Sequence, residues 1–196
     1  MLERFRVESI TEGAFRAIAR KGAAATMQDI ADESGIAKGT LYLYFKDRDE
    51  LLQRVGEAAL SQLLEKLEMV FAMGLPFEKT IQELVLTKLR FFDERRDLYR
   101  VHFELRFPGG CDPVRDGRGK APPPQRQIYV DRLTRYFEEA GGYGADAPRL
   151  ALFLSETVAA VLYRRIPEPG GRKLEDDAEF LSDLVLNGLV GRKMKS

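Results

Sequence analysis

Apolar positions recur along this chain at intervals of three and four residues, and no run alternates apolar with polar in the manner of a half-buried strand. The pattern predicts an all-α protein of about nine helices. Val7, Ile10, Ala14, Ala17 and Ile18 form the stripe of a first helix, expected to stop at Lys21-Gly22, where a cation and a C-cap residue follow one another. Thr26 with Asp29 three positions on is close to a capping box, in which Glu or Gln more often holds the third place, and it opens a second helix over 27–34. After Gly35 a short third helix is predicted from Lys38 to Tyr44. Asp47-x-x-Glu50 repeats the capping signature ahead of a long fourth helix that reaches Met73.

Gly74 and Pro76 punctuate that helix, and Ile81, Leu84, Val85, Leu89 and Phe92 mark the next amphipathic one. A shorter helix is predicted over Leu98 to Phe107. From Pro108 to Pro124, 9 of 17 residues are Pro or Gly, so a mobile surface connection is expected there. Helical patterning resumes over Gln125–Ala140, stops at Gly141-Gly142-Tyr143-Gly144, and returns over Ala147–Arg165 and Leu174–Val190. The expected division is a small N-terminal domain, 1–46, and a larger helical domain, 47–196, with the helix over 47–73 connecting them.

Composition narrows the function. A chain of 196 residues can bury a core without disulfides, and Cys111 is its only cysteine, which agrees with a reducing compartment. The apolar run around Leu150–Leu154 gives way to Ser155, Glu156 and Thr157, far short of the roughly 20 residues of a membrane span. Glu3, Glu8 and Glu12 leave no apolar core for a signal peptide near the first residue, so a cytoplasmic location is expected. One histidine, His102, cannot supply the two Glu-x-x-His pairs of a carboxylate-bridged metal site. With no Gly-rich phosphate loop and no nucleophile beside a base, neither an enzyme nor a metal or cofactor site is expected. Positive and negative residues are equal at 31 each, and residues 1–50 hold 8 Lys/Arg against 9 Asp/Glu. Any affinity for phosphate has to come from where those charges are placed.

The sharpest local signal is Met27 to Tyr44, which meets the steric demands of two short helices crossing at a tight turn. Ala31 is small enough for a close crossing, Gly35 suits a positive φ, and Ile30, Ile36 and Leu41 supply apolar contacts to the first helix. An ordinary αα-hairpin meets the same spacing. In the third helix only Leu41 and Phe45 fall on the inward face, which leaves Lys38, Gly39, Thr40, Tyr42 and Leu43 facing out. A cation, a hydroxyl and a phenol on one short helix suit a DNA groove, with Lys38 donating to guanine, Thr40 to a phosphate or base, and Tyr42 to a phosphate. Lys46 and Arg48 are placed to clamp the sugar-phosphate backbone, and the amides beside Thr26 offer a further phosphate site.

Thr26 through Leu52, with Gly39-Thr40-Leu41-Tyr42-Leu43-Tyr44-Phe45-Lys46 at its centre and Leu51-Leu52 following, resembles the DNA-binding signature of the TetR family. The resemblance covers about the first 55 residues. It implies a dimeric transcriptional regulator, with Gln28, Lys38, Gly39, Thr40, Tyr42, Leu43 and Tyr44 at positions that approach bases or phosphates and Lys46 and Arg48 at backbone-contacting positions. Leu43 departs from the polar or aromatic residue often found at its place, so contact with a thymine methyl is expected there instead of a base hydrogen bond.

The helix from Leu150 to Tyr163 is apolar around most of its circumference, which calls for cover on more than one side. A homodimer interface is therefore expected from Leu150, Phe153, Leu154, Val158, Val161 and Leu162 together with Phe180 and Leu184 of the last helix, although the centre of a monomeric bundle has the same look. The resemblance implies the same dimer, and also an effector pocket among the middle helices. Met69, Phe71, Met73, Phe91, Phe92, Tyr99, His102, Phe103, Phe107 and Tyr129 provide flexible and aromatic lining for an apolar or aromatic small molecule, though residues of this kind also make plain core. The expected function is that of a repressor on a palindromic operator, released by a small-molecule effector. The alternative is a helical interaction protein that keeps the helix-turn-helix fold without specific DNA binding.

Overall fold

The computed structural model describes residues 2–97, 99–101, 124–140, 142–165 and 172–193. Among them there are α-helices and short 3-10 turns but no strand. The helices are α1 (Leu2–Lys21), α2 (Met27–Ser34), α3 (Lys38–Leu41), α4 (Arg48–Ala72), α5 (Phe77–Glu94), α6 (Pro124–Glu139), α7 (Ala147–Arg165) and α8 (Leu174–Lys193), with residues 99–101 also helical. Most of the helix expected over Leu98–Phe107, and the Pro/Gly-rich stretch up to Pro123, lie outside the described residues. No helix among the described residues is long and apolar enough to cross a membrane. The chain divides into two compact units, one of residues 1–61 with 95–121 and the other of residues 62–94 with 122–196.

In the first unit α1 packs along α2, and α2 meets α3. Ile10, Ala14, Ala17 and Ile18 of the predicted stripe are buried, together with Met27, Ile30, Ala31, Leu41, Phe45, Leu51, Leu52 and Val55. Val7 and Ile36 are only half-buried. α1 and α2 come close together at Gly13, where a Cβ would stand 2.8 Å from Ser34 Cα. Only a residue without a side chain lets the two backbones meet so closely.

The second unit holds Gln62–Ala72 of α4 and the helices α5 to α8. Its core comes from Ile81, Leu84, Val85 and Leu89 of α5, Leu133 and Phe137 of α6, Ala151, Leu154 and Val158 of α7, and Ala178 and Leu181 of α8. α5 packs on α7 and α8, α6 packs on α7, and α7 on α8. Phe77 holds one end together, stacked on Tyr136 at 5.6 Å between ring centroids and edge-on to Phe137 at 5.7 Å. α8 is interrupted at Gly188, whose φ of 63° and ψ of 179° are not helical.

Candidate nucleic-acid interface

α2 starts with a complete capping box. The Asp29 amide donates to Thr26 Oγ1 at 3.2 Å, and the Thr26 amide donates to Asp29 Oδ2 at 2.9 Å. Thr26 Oγ1 also donates to the same carboxylate oxygen at 2.8 Å, and Lys21 Nζ lies 2.6 Å from Asp29 Oδ1. Hydrogen bonds from Lys21 and from the backbone and hydroxyl of Thr26 hold the Asp29 carboxyl far below the usual carboxylate range. A carboxylate therefore stands at the helix start where the sequence reading expected a phosphate site beside Thr26, and it accepts the Thr26 hydroxyl proton.

At the other end of α2 the chain leaves through a Schellman turn. Gly35 has φ 66° and ψ 31°, its amide donates to Asp32 O at 3.2 Å, and the Ile36 amide reaches back to Ala31 O at 3.1 Å. The left-handed conformation requires the glycine. α3 then begins at Lys38, but it is shorter than predicted and ends at Leu41 instead of Tyr44. Leu43 N–H bonds Thr40 O at 3.2 Å and Tyr44 N–H bonds Leu41 O at 3.0 Å, so the chain tightens to three-residue spacing and brings Phe45 into the core beneath it.

The outward face of α3 and this turn has the predicted residues. Lys38 and Gly39 are exposed, Thr40 and Tyr44 half-buried, Tyr42 is 50% exposed and Leu43 81% exposed. A Cβ at Gly39 would meet nothing within 4 Å, so the fold itself has no need of a glycine there. Lys46 is exposed and its amide donates to Glu50 Oε2 at 2.8 Å, while Glu50 N–H bonds Asp47 Oδ1 at 2.9 Å. The predicted cap of α4 is therefore present, with its return bond made to Lys46 and not to Asp47.

Two basic residues differ from the sequence reading. Arg48, expected at a DNA backbone, is half-buried, and its Nε donates to Ala25 O at 2.8 Å, which gives it a bracing role inside the unit. Arg6, absent from the predicted set, is exposed and its Nη1 lies 3.4 Å from Tyr44 Oη, a bond that raises the guanidinium pKa. Nothing in the spacing of α1 singles Arg6 out, because the contact spans 38 positions. Gln28 is exposed and donates through Nε2 to Asp32 Oδ1 at 2.8 Å.

Part of the acidic charge of this region is tied up in ion pairs. Asp29 is taken by Lys21, and Glu33 by Arg20 at 2.8 Å and Arg16 at 3.5 Å. No ion pair joins Lys38 or Lys46 to a carboxylate among the described residues, so their charge remains on the outward face.

The model of "Bacterial regulatory proteins, tetR family" matches residues 10–55. An HTH-type transcriptional regulator of Haemophilus influenzae is 35% identical over 78 residues, covering 39% of this chain and 42% of that protein. Residues 10–55 are thus similar to the DNA-binding region of TetR-family regulators. Another relative, the HTH-type transcriptional repressor KstR2 of Rhodococcus jostii, is 33% identical over 79 residues, covering 40% of this chain and 39% of the repressor. The chain spans less than half the length of the curated relatives it matches. The fold extends further than the sequence likeness. The fatty acid degradation regulator FadR of Bacillus halodurans superposes with a TM-score of 0.71 at 19% identity, over 93% of this chain and 98% of that one. FadR of Bacillus subtilis, solved in complex with stearoyl-CoA, gives 0.69 at 18% identity over the same shares. An N-terminal helix-turn-helix followed by a helical C-terminal region is thus the architecture of this chain.

The C-terminal candidates separate. Met69 and Met73 are exposed, and Phe91 and Phe92 are buried edge-on to each other at 5.6 Å. Phe71 packs on Tyr136 under the Arg132 guanidinium, and Tyr99 belongs to the first unit. His102, Phe103 and Phe107 lie outside the described residues. Tyr129 is buried. On α7, Leu154, Val158 and Leu162 are 0 to 4% exposed. Their placement in the expected dimer surface is corrected, since they face the core of their own unit. Phe153, with Leu152 beside it, and Phe180 on α8 are close to half exposed, while Leu150, Val161 and Leu184 are half-buried. No group of three or more His, Cys, Asp or Glu residues suited to a metal ion occurs among the described residues.

Proposed function

We propose that the chain is a transcriptional regulator that binds a palindromic operator as a homodimer, represses from it, and leaves it when a small molecule binds the C-terminal unit. The observation that carries this reading is the face formed by Lys38, Gly39, Tyr42 and Leu43. It is exposed, its glycine answers no internal need, and Asp29 and Glu33 are paired with cations other than Lys38 and Lys46. Such a face suits a major groove, with Lys38 toward a base edge or phosphate, Tyr42 toward a phosphate and Leu43 toward a thymine methyl. Lys46 adds a phosphate contact, and Arg6, by holding the Tyr44 hydroxyl, fixes the rim of the same face.

Exposed Leu152, Phe153 and Phe180 support twofold pairing through α7 and α8, which would present two copies of α3 to successive grooves. An effector acts by favouring the arrangement that cannot engage both half-sites, and operator binding then weakens the effector by the same factor. The repressor name of one relative and the ligand named with one structural neighbour support the reading without fixing its operator or effector.

Selection of bound sequences from random duplex DNA tests it. A palindrome is expected, and Lys38→Ala with Tyr42→Ala should abolish selection while leaving thermal unfolding unchanged. Failure to enrich any sequence with the intact protein would favour the alternative, an interaction protein that retains the fold without specific DNA binding.

A further inference from the structure

Lys88 of α5 is 8% exposed, and no carboxylate among the described residues lies within ion-pair distance of its ammonium. Its Nζ sits 3.4 Å from Ser155 O on α7 and 4.8 Å from the centroid of the Tyr129 ring on α6. The carboxylate that acts on it electrostatically, Glu156, is exposed and held by Arg126, whose own charge opposes it. Burial lowers the ammonium pKa to about 8, so Lys88 remains mainly charged at neutral pH. On the same face of α6, one turn apart, Tyr129 Oη and Gln125 Oε1 are buried without a hydrogen-bond partner. Lys88 therefore lies against the Tyr129 ring with one carbonyl contact and no carboxylate, and two buried polar atoms on the neighbouring face of α6 have no hydrogen-bond partner at all.

We propose that Lys88, Tyr129 and Gln125 form the seat for the carboxylate of an amphiphilic effector whose remaining body is apolar. A carboxylate accepts from the Lys88 ammonium and from the Tyr129 hydroxyl, and the Gln125 amide, turned about its last bond, adds an Nε2–H donor. One ammonium balances one negative charge, which selects a monoanion. The aromatic and aliphatic residues of this unit then suit the rest of the ligand. This inference rests on reading the second unit as effector-binding, and it replaces a purely apolar ligand with one that has an acidic head.

Calorimetry on the full chain at pH 7 tests it with two matched pairs of probes, 2-naphthoate with 2-naphthol and decanoate with decanol. The expected result is saturable binding of at least one carboxylate, at least tenfold tighter than its alcohol. Lys88→Met should erase that difference while unfolding cooperatively at no lower temperature, and Tyr129→Phe should weaken the carboxylate more than the alcohol. Equal affinity within both pairs, no binding of either carboxylate, or undiminished carboxylate binding by Lys88→Met would each overturn the proposal. Repeating the titrations with the selected duplex separates it from the regulatory reading. Lys88-dependent carboxylate binding that leaves the duplex bound keeps the site and removes the regulation. Release of the duplex by an alcohol, equally in both forms, does the reverse.

Discussion

Gly13 of α1 lies directly against Ser34 of α2, so that a Cβ on residue 13 would come within 2.8 Å of Ser34 Cα and closer still to its hydroxyl, which itself donates to Ile30 O at 2.6 Å. The obstacle is partly main chain and cannot turn away. Gly13→Ala should therefore destabilise the first unit by about 2 kcal/mol or more, as overpacking does where neighbours cannot yield. Chemical denaturation measures this. Adding Ser34→Gly should return only part of the loss, because the clash with the main chain of residue 34 survives. A Gly13→Ala variant as stable as the parent would mean that α1 and α2 do not cross at this point.

Gly39 is the opposite case, with open space around it. Gly39→Ala should leave stability unchanged or raise it by up to about 1 kcal/mol, the ordinary helix preference of alanine. The same change should weaken operator DNA at least tenfold if backbone and duplex meet there. Stability and DNA titrations on one preparation give both values, and unchanged affinity would remove Gly39 from the interface.

The turn at Gly35, the box at Thr26 and Asp29, and the core stripe of α1 were legible because each is a local rule, set by residues within four positions of one another. The outward face of α3 was legible for the same reason. What was hidden depends on distant neighbours. Gly13 matters through Ser34, Arg48 through Ala25, and Arg6 through Tyr44, and no periodicity announces such pairs. The apolar circumference of α7 signals a need for cover, but periodicity alone does not divide its faces. Leu154, Val158 and Leu162 turn inward because α5, α6 and α8 surround that side. Lys88 gives no signal in the sequence because a lone lysine in an amphipathic stretch is usually a solvated one.

Lys88 makes stability depend on pH in a defined direction. Its folded pKa of about 8 lies below the ordinary 10.5, so between these values the unfolded chain binds more protons and stability rises with pH. The charges that act on it are Glu156, which favours the ammonium, and Arg126, which opposes it. Tyr129, whose pKa burial raises where it lowers that of Lys88, reverses the trend above about pH 10, where only the unfolded phenol ionises. Unfolding midpoints should therefore climb between pH 7.5 and 9.5 in the parent (~2 pH units, a window set by these pKa values). Lys88→Met should remove that climb and be more stable at pH 7 by about 1 to 3 kcal/mol. A flat profile in the parent would show that the ammonium reaches water.

The two faces of α7 predict opposite outcomes for similar substitutions. Phe153→Glu, on the exposed side, should leave a folded chain that sediments at 22.2 kDa where the parent sediments at twice that mass. Leu154→Glu, one position on, should instead prevent the second unit from folding, since it places a charge in a fully buried site. Sedimentation and circular dichroism distinguish the two, and a parent that is itself monomeric at micromolar concentration would end the dimer proposal.

The bond from Arg48 Nε to Ala25 O ties the opening turn of α4 to the corner between α1 and α2. Under the proposed regulation, a tilt of that turn would be passed to the corner as through a hinge pin, and α3, packed on α2, would travel with it. Control over DNA would then need no melting or refolding of the reading head, and cutting the pin with Arg48→Met should loosen the signal while leaving the grip of an isolated half-site intact.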